Sequence, residues 1–149
     1  MAYIKLDRGI WVLIADGEKA LFLKNKGDVT YPDLTLVREM HEENPETREQ
    51  GTDRPGRYRD ATGAHKSGFE ETDWHRIGKE RFAAEIAERL SMLAQRDRFQ
   101  KIILVAPPLV LGELRKHFAK DVLDRIAAEV PKTLTNHPVA EIEKILQAS

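Results

Sequence analysis

The sequence predicts an α/β domain on a mixed sheet, with elements in the order β-β-β-α-β-α-β-α. Two observations carry that expectation. Residues 10–15 (Ile-Trp-Val-Leu-Ile-Ala) and 102–106 (Ile-Ile-Leu-Val-Ala) are unbroken apolar runs, the mark of strands covered on both faces. Between them, Phe82, Ile86, Leu90 and Leu93 recur at helical spacing, and Ala83, Ala87 and Ala94 widen the stripe.

The elements follow in chain order. After strand 10–15 comes a turn over 16–19, in which Gly17 is expected to supply a positive φ for a tight hairpin. Residues 20–24 read as the returning antiparallel strand. A polar break over 25–28 and Pro32 then separates a third strand over 34–40, whose alternation through Leu34 and Leu36 shifts at Val37 and Met40. From 41 to 72 the periodicity disappears, and four glycines and two prolines mark a long irregular loop. Asp73 can cap a helix running to about Arg96. Pro107 and Pro108 stop the strand at 102–106 and suit the first turn of a helix with Leu111, Leu114 and Phe118 on its buried edge. A strand over 125–130 ends at Pro131, and Pro138 opens a helix with Val139, Ile142, Ile145 and Leu146 on one face. This order of elements is that of ribonuclease H-like domains, with helices packed on the sheet. No internal repeat interrupts it, so residues 1–149 read as one domain.

Composition narrows the function classes. The 149 residues are 41% hydrophobic and 33% charged, with 24 basic against 25 acidic side chains and no cysteine. A charge of -1 gives no global attraction to nucleic acid or anionic membrane, so any such affinity must come from a local patch. Without cysteine there is no disulfide framework, no thiolate catalysis and no sulfur-based zinc site. The apolar runs are too short for a transmembrane helix or a signal-peptide core, which predicts no membrane insertion and a cytoplasmic location.

The fold class raises the question of a metal-dependent nuclease. Two-metal hydrolysis needs carboxylates converging on ions about 4 Å apart. Asp16 follows the first strand, and Glu80 or Glu85 lie on the long helix. The fourth strand, however, runs out through Val105, Ala106, Pro107 and Pro108 with no carboxylate. Asp16 therefore reads as a turn residue and the glutamates as a solvated face. His41, His65, His75, His117 and His137 show no HxxxH or HExxH spacing, and no nucleophile elbow, P-loop or GxGxxG occurs. No catalytic residue, metal or cofactor is assigned, and a non-enzymatic role is the expectation.

The irregular loop holds the strongest chemical signal. Between Arg48 and Lys66 it carries five basic side chains against three acidic ones. Arg54, Arg57 and Arg59 offer planar forks that suit phosphate, Tyr58 can stack on a base, and His65 and Lys66 extend the patch. The alternative is a solvated loop whose arginines pair with carboxylates such as Glu42, Glu43 or Glu46.

Several segments occur together in register: 12–17 (Val-Leu-Ile-Ala-Asp-Gly), 53–57 (Asp-Arg-Pro-Gly-Arg), 80–87 (Glu-Arg-Phe-Ala-Ala-Glu-Ile-Ala), 104–108 (Leu-Val-Ala-Pro-Pro) and 111–115 (Leu-Gly-Glu-Leu-Arg), then Leu134-Thr135, Pro138 and Glu141-Ile142. In this the chain resembles the bacterial host attachment protein family (proteins required for attachment to host cells) over nearly its whole length. It departs at Thr133, where that pattern has an acidic residue. The family in turn is similar to the ribonuclease H-like middle domain of archaeal and eukaryotic peptide-release factors. There, a GGQ tripeptide in the loop before the long helix promotes peptidyl-tRNA hydrolysis. This chain has Gln50-Gly51 in the corresponding loop but no GGQ, so release activity is not carried over. The resemblance implies a non-catalytic module that contacts the ribosome, rRNA or tRNA through the arginine loop. A protein-interaction factor acting indirectly on attachment is the alternative, and a metal-dependent nuclease using Asp16 comes third.

Overall fold

The computed structural model describes residues 4–42, 78 and 80–149. Five strands form one sheet in the order β3-β2-β1-β4-β5: β1 (Trp11–Ala15), β2 (Lys19–Asn25), β3 (Leu34–His41), β4 (Ile102–Val105) and β5 (Ile126–Val130). β1 pairs antiparallel with β2 and parallel with β4, β2 pairs antiparallel with β3, and β4 pairs parallel with β5. The strands β1, β3, β4 and β5 therefore all point one way, the ribonuclease H-like arrangement that the element order predicts.

The two apolar runs form the central pair, with Trp11 opposite Ile102 and Ile14 opposite Val105. Alternation across the pleat divides them between two cores. Trp11, Leu13, Ile102 and Leu104 face α1 (80–95), whose Phe82, Ile86 and Leu90 are buried as their spacing requires. Leu111 and Leu114 of α2 (Pro108–His117) and Val122 of α3 (Lys120–Leu123) complete that layer. Val12, Ile14, Ile103 and Val105 face the other way, onto Leu6 and onto Ile142 and Leu146 of α4 (Val139–Gln147). α4 is also tied to β3, where Glu143 Oε2 accepts a 2.7 Å hydrogen bond from the Leu34 N–H.

Three details differ from the sequence reading, and a fourth gives an expected irregularity its physical form. The order gains a one-turn helix, α3, which is too short to carry a periodic signal. β3 extends through His41, so the irregular loop expected from 41 begins later. Gly17 does not take a positive φ; among the described glycines Gly9 does, at +84°. Finally, the shifted alternation in the third strand is a β-bulge. Phe22 pairs with Arg38 and Leu23 with Leu36, which leaves Val37 as the extra residue. The expected Asp73 cap lies outside the described residues.

Candidate functional site

The carboxyl ends of the codirectional strands gather the β1–β2 turn, the end of β3, the start of α1 and the β4–α2 junction. In open α/β sheets, crevices at this edge are the usual place for ligands. Here the edge holds a largely apolar cleft of about 230 Å³, walled by Phe82 and Ile86 of α1 and by Pro107 and Val110 of the β4–α2 junction. Leu109, 86% exposed, lines it too, as do Asp16 and Glu113.

Asp16 makes the turn that borders this cleft. Its Oδ1 accepts hydrogen bonds from the Glu18 and Lys19 N–H groups at 2.7 and 2.8 Å. Its Oδ2 accepts one from Thr135 Oγ1 at 2.5 Å, on the loop between β5 and α4. A side chain closing its own turn in this way removes the need for a left-handed glycine, which explains the ordinary φ of Gly17. It also commits both carboxylate oxygens to structure. Glu80 and Glu85 are exposed on α1. Among the described residues no group of three histidine, aspartate or glutamate side chains is placed to hold a metal ion. Thr135, only 2% exposed, is a partner that sequence reading missed, since its contact spans 119 positions.

The same edge is where the chain leaves and re-enters the described fold. The Glu42 N–H donates to the Glu18 carbonyl at 2.7 Å, holding the chain beyond β3 against the β1–β2 turn. Gly78, buried and helical just ahead of the described part of α1, lies directly against the Glu42 carboxylate, so that a Cβ at position 78 would collide with it. The two residues that bracket positions 43–77 are thus in contact. Arg54, Arg57, Tyr58, Arg59, His65 and Lys66 all fall between those brackets, outside the described residues, as does Gln50-Gly51.

A family model matches residues 9–146, nearly the whole chain, and its description is bacterial archaeo-eukaryotic release factor family 12. The chain belongs to that family. The match carries the release-factor side of the resemblance and not the host attachment name. Among solved structures, the chain is similar to an archaeal translation termination factor, aRF1, at 14% identity and a TM-score of 0.48, over 93% of this chain and 35% of that one. It is also similar to Dom34 of S. cerevisiae, described as a translation termination-like factor involved in RNA quality control and interacting with Hbs1. That match has 12% identity and a TM-score of 0.45, over 97% of this chain and 36% of the other. The chain spans about a third of the length of either protein, and neither likeness carries an argument about activity. No curated protein sequence matches it. Among the described residues, no helix of this release factor family member is long and apolar enough to cross a membrane.

Proposed function

We propose that this release factor family member is a non-catalytic module, residues 1–149 acting as one domain, that docks on the ribosome through the basic segment between Glu42 and Gly78. The observation that carries the reading is the contact between those two residues. It brings together, at the carboxyl edge of the sheet, the two described residues that flank the arginine-bearing segment. Arg54, Arg57 and Arg59 supply forks for rRNA or tRNA phosphates, Tyr58 a stacking face, and His65 and Lys66 further donors. Family membership supports a partner in translation. Peptide release by a GGQ tripeptide is not part of the proposal, because the chain has none. The reading also places the protein in the cytoplasm, with the ribosomes.

The test is ribosome co-sedimentation across a salt series, for the wild-type protein and for the combined variant Arg54→Ala, Arg57→Ala, Arg59→Ala. Phosphate contacts make the association fall steeply with salt. We expect the wild-type protein to pellet with ribosomes at low salt and the variant to remain in the supernatant. Absence of ribosome association for both overturns the reading. Recovery of protein partners that survive nuclease treatment would instead support the interaction role on which the host attachment resemblance bears.

A further inference from the structure

At the opposite edge of the sheet lies a second cleft, of about 320 Å³. It is formed by the turn that leads into β1, the end of β2 and the connection from α1 to β4. Four cations line it, Arg8, Lys24, Arg98 and Lys101, against the carboxylates of Asp7 and Asp97. Both carboxylates are already engaged. Asp7 faces Lys101 Nζ at 3.5 Å, and Asp97 Oδ1 accepts from Gln100 Nε2 at 2.7 Å and from Arg125 Nη1 at 3.2 Å. Arg8, Lys24 and Arg98 have no ion-pair partner among the described residues.

Backbone hydrogen bonds fix the segments that carry these cations. α1 ends with Asp97 in the left-handed region at φ 57°. The Arg98 N–H reaches back to the Leu93 carbonyl at 2.9 Å and the Asp97 N–H to the Ala94 carbonyl at 2.9 Å. This six-to-one and five-to-two pair is a Schellman closure, which fixes where Arg98 leaves the helix. On the facing wall, Gly9 takes φ +84° and donates its N–H to the Asn25 carbonyl at 2.8 Å, which sets Arg8 beside the end of β2. Three unpaired cations from three separate segments around one concavity repel each other, and a concave wall of low dielectric focuses their field outward.

We propose that this cleft receives the phosphodiester backbone of single-stranded RNA. The guanidinium groups of Arg8 and Arg98 can each take a phosphate in fork geometry, and the Lys24 ammonium adds a point charge between β2 and the cleft. Several cations spread along a groove suit a chain of regularly spaced charges better than one isolated anion. The proposal shares its class of partner with the ribosome-docking reading but stands on different residues, at the other end of the strands.

The experiment is fluorescence anisotropy with a labelled oligouridylate across a salt series, using the full chain. The proteins compared are wild type, Arg8→Ala/Arg98→Ala, Lys24→Gln, and the combined Arg54, Arg57 and Arg59 alanine variant. Each lost phosphate contact on a single strand makes the slope of log affinity against log salt shallower by about 0.7. We expect the double variant to flatten the slope by about 1.4 and Lys24→Gln by about 0.7, with thermal unfolding unchanged. These decrements should persist in the background of the loop variant, which separates the cleft from the excursion. An unchanged slope in both cleft variants overturns the proposal, because the cations would then only complement the carboxyl end of α1. It is equally overturned if poly-glutamate at equal charge displaces the RNA, since the groove would then be one for acidic polypeptide.

Discussion

The two ends of the sheet are made by the same central strands, yet their chemistry is opposite. At the carboxyl edge the polar groups are consumed locally, with Asp16 closing its turn and holding Thr135, and the open surface is apolar. At the amino edge the apolar groups are covered. The Phe99 ring lies 5.7 Å from that of Trp11, tilted by 36°, and Arg125 lies 5.8 Å from the Phe99 ring centre while bonding its carbonyl at 2.6 Å. What remains exposed there is charge. The alternation along β1 and β4 dictates the interior, but the connections between strands decide what each rim offers a partner.

Removing one buried ring from each end should give the largest effects and show whether the ends are equally anchored. Phe82 and Phe99 are each 2% exposed, and replacing either by alanine should cost about 3–5 kcal/mol in urea unfolding. A much smaller loss at one end would mean that it can collapse onto the void, breaking the symmetry of the comparison.

The polar fasteners should separate the ends more sharply. Asn25, fully buried, donates to the Leu6 and Asp7 carbonyls at 2.6 and 3.2 Å and accepts from the Gly27 and Asp33 N–H groups at 2.9 and 2.7 Å. Asn25→Ala strands several buried backbone groups at the amino edge, and a loss of about 2–4 kcal/mol is expected. Thr135→Val at the carboxyl edge removes a single bond to Asp16, for about 1–2 kcal/mol. Chemical denaturation of the two variants side by side checks the ranking.

The smallest effect concerns acid. The Asp97 carboxyl is held below the ordinary carboxylate value by the hydrogen bond from Gln100 and next by that from Arg125. A depressed folded-state pKa stabilises fully above the unfolded value and is lost as pH falls through the folded one. Asparagine tolerates the left-handed backbone, so Asp97→Asn removes the charge without straining the turn. The difference in Tm between the wild-type protein and Asp97→Asn should be constant near neutrality and shrink as pH falls below about 4. A difference independent of pH would show that the carboxylate charge plays no part in closing α1.

The strands at 11–15 and 102–105 and the stripe on α1 were legible because burial on both faces, or on one helical face, leaves a local periodic record. Even the bulge at Val37 showed as a break in alternation. α3 left no such record in one turn. Among site features, Asp16 was readable as a turn residue, while its bond to Thr135 was not. The six loop residues from Arg54 to Lys66 rest on the sequence alone.

From its own order, then, the chain determines which stretches become strands and helices and which faces they bury, since those preferences act over a few neighbouring residues. Only the tertiary structure decided that Glu42 meets Gly78, that Asn25 fastens Leu6 and Asp7, and that Arg8, Lys24 and Arg98 surround one groove. Such meetings join residues far apart in sequence, and the free energy that holds them comes from the packed sheet between, which no local pattern encodes.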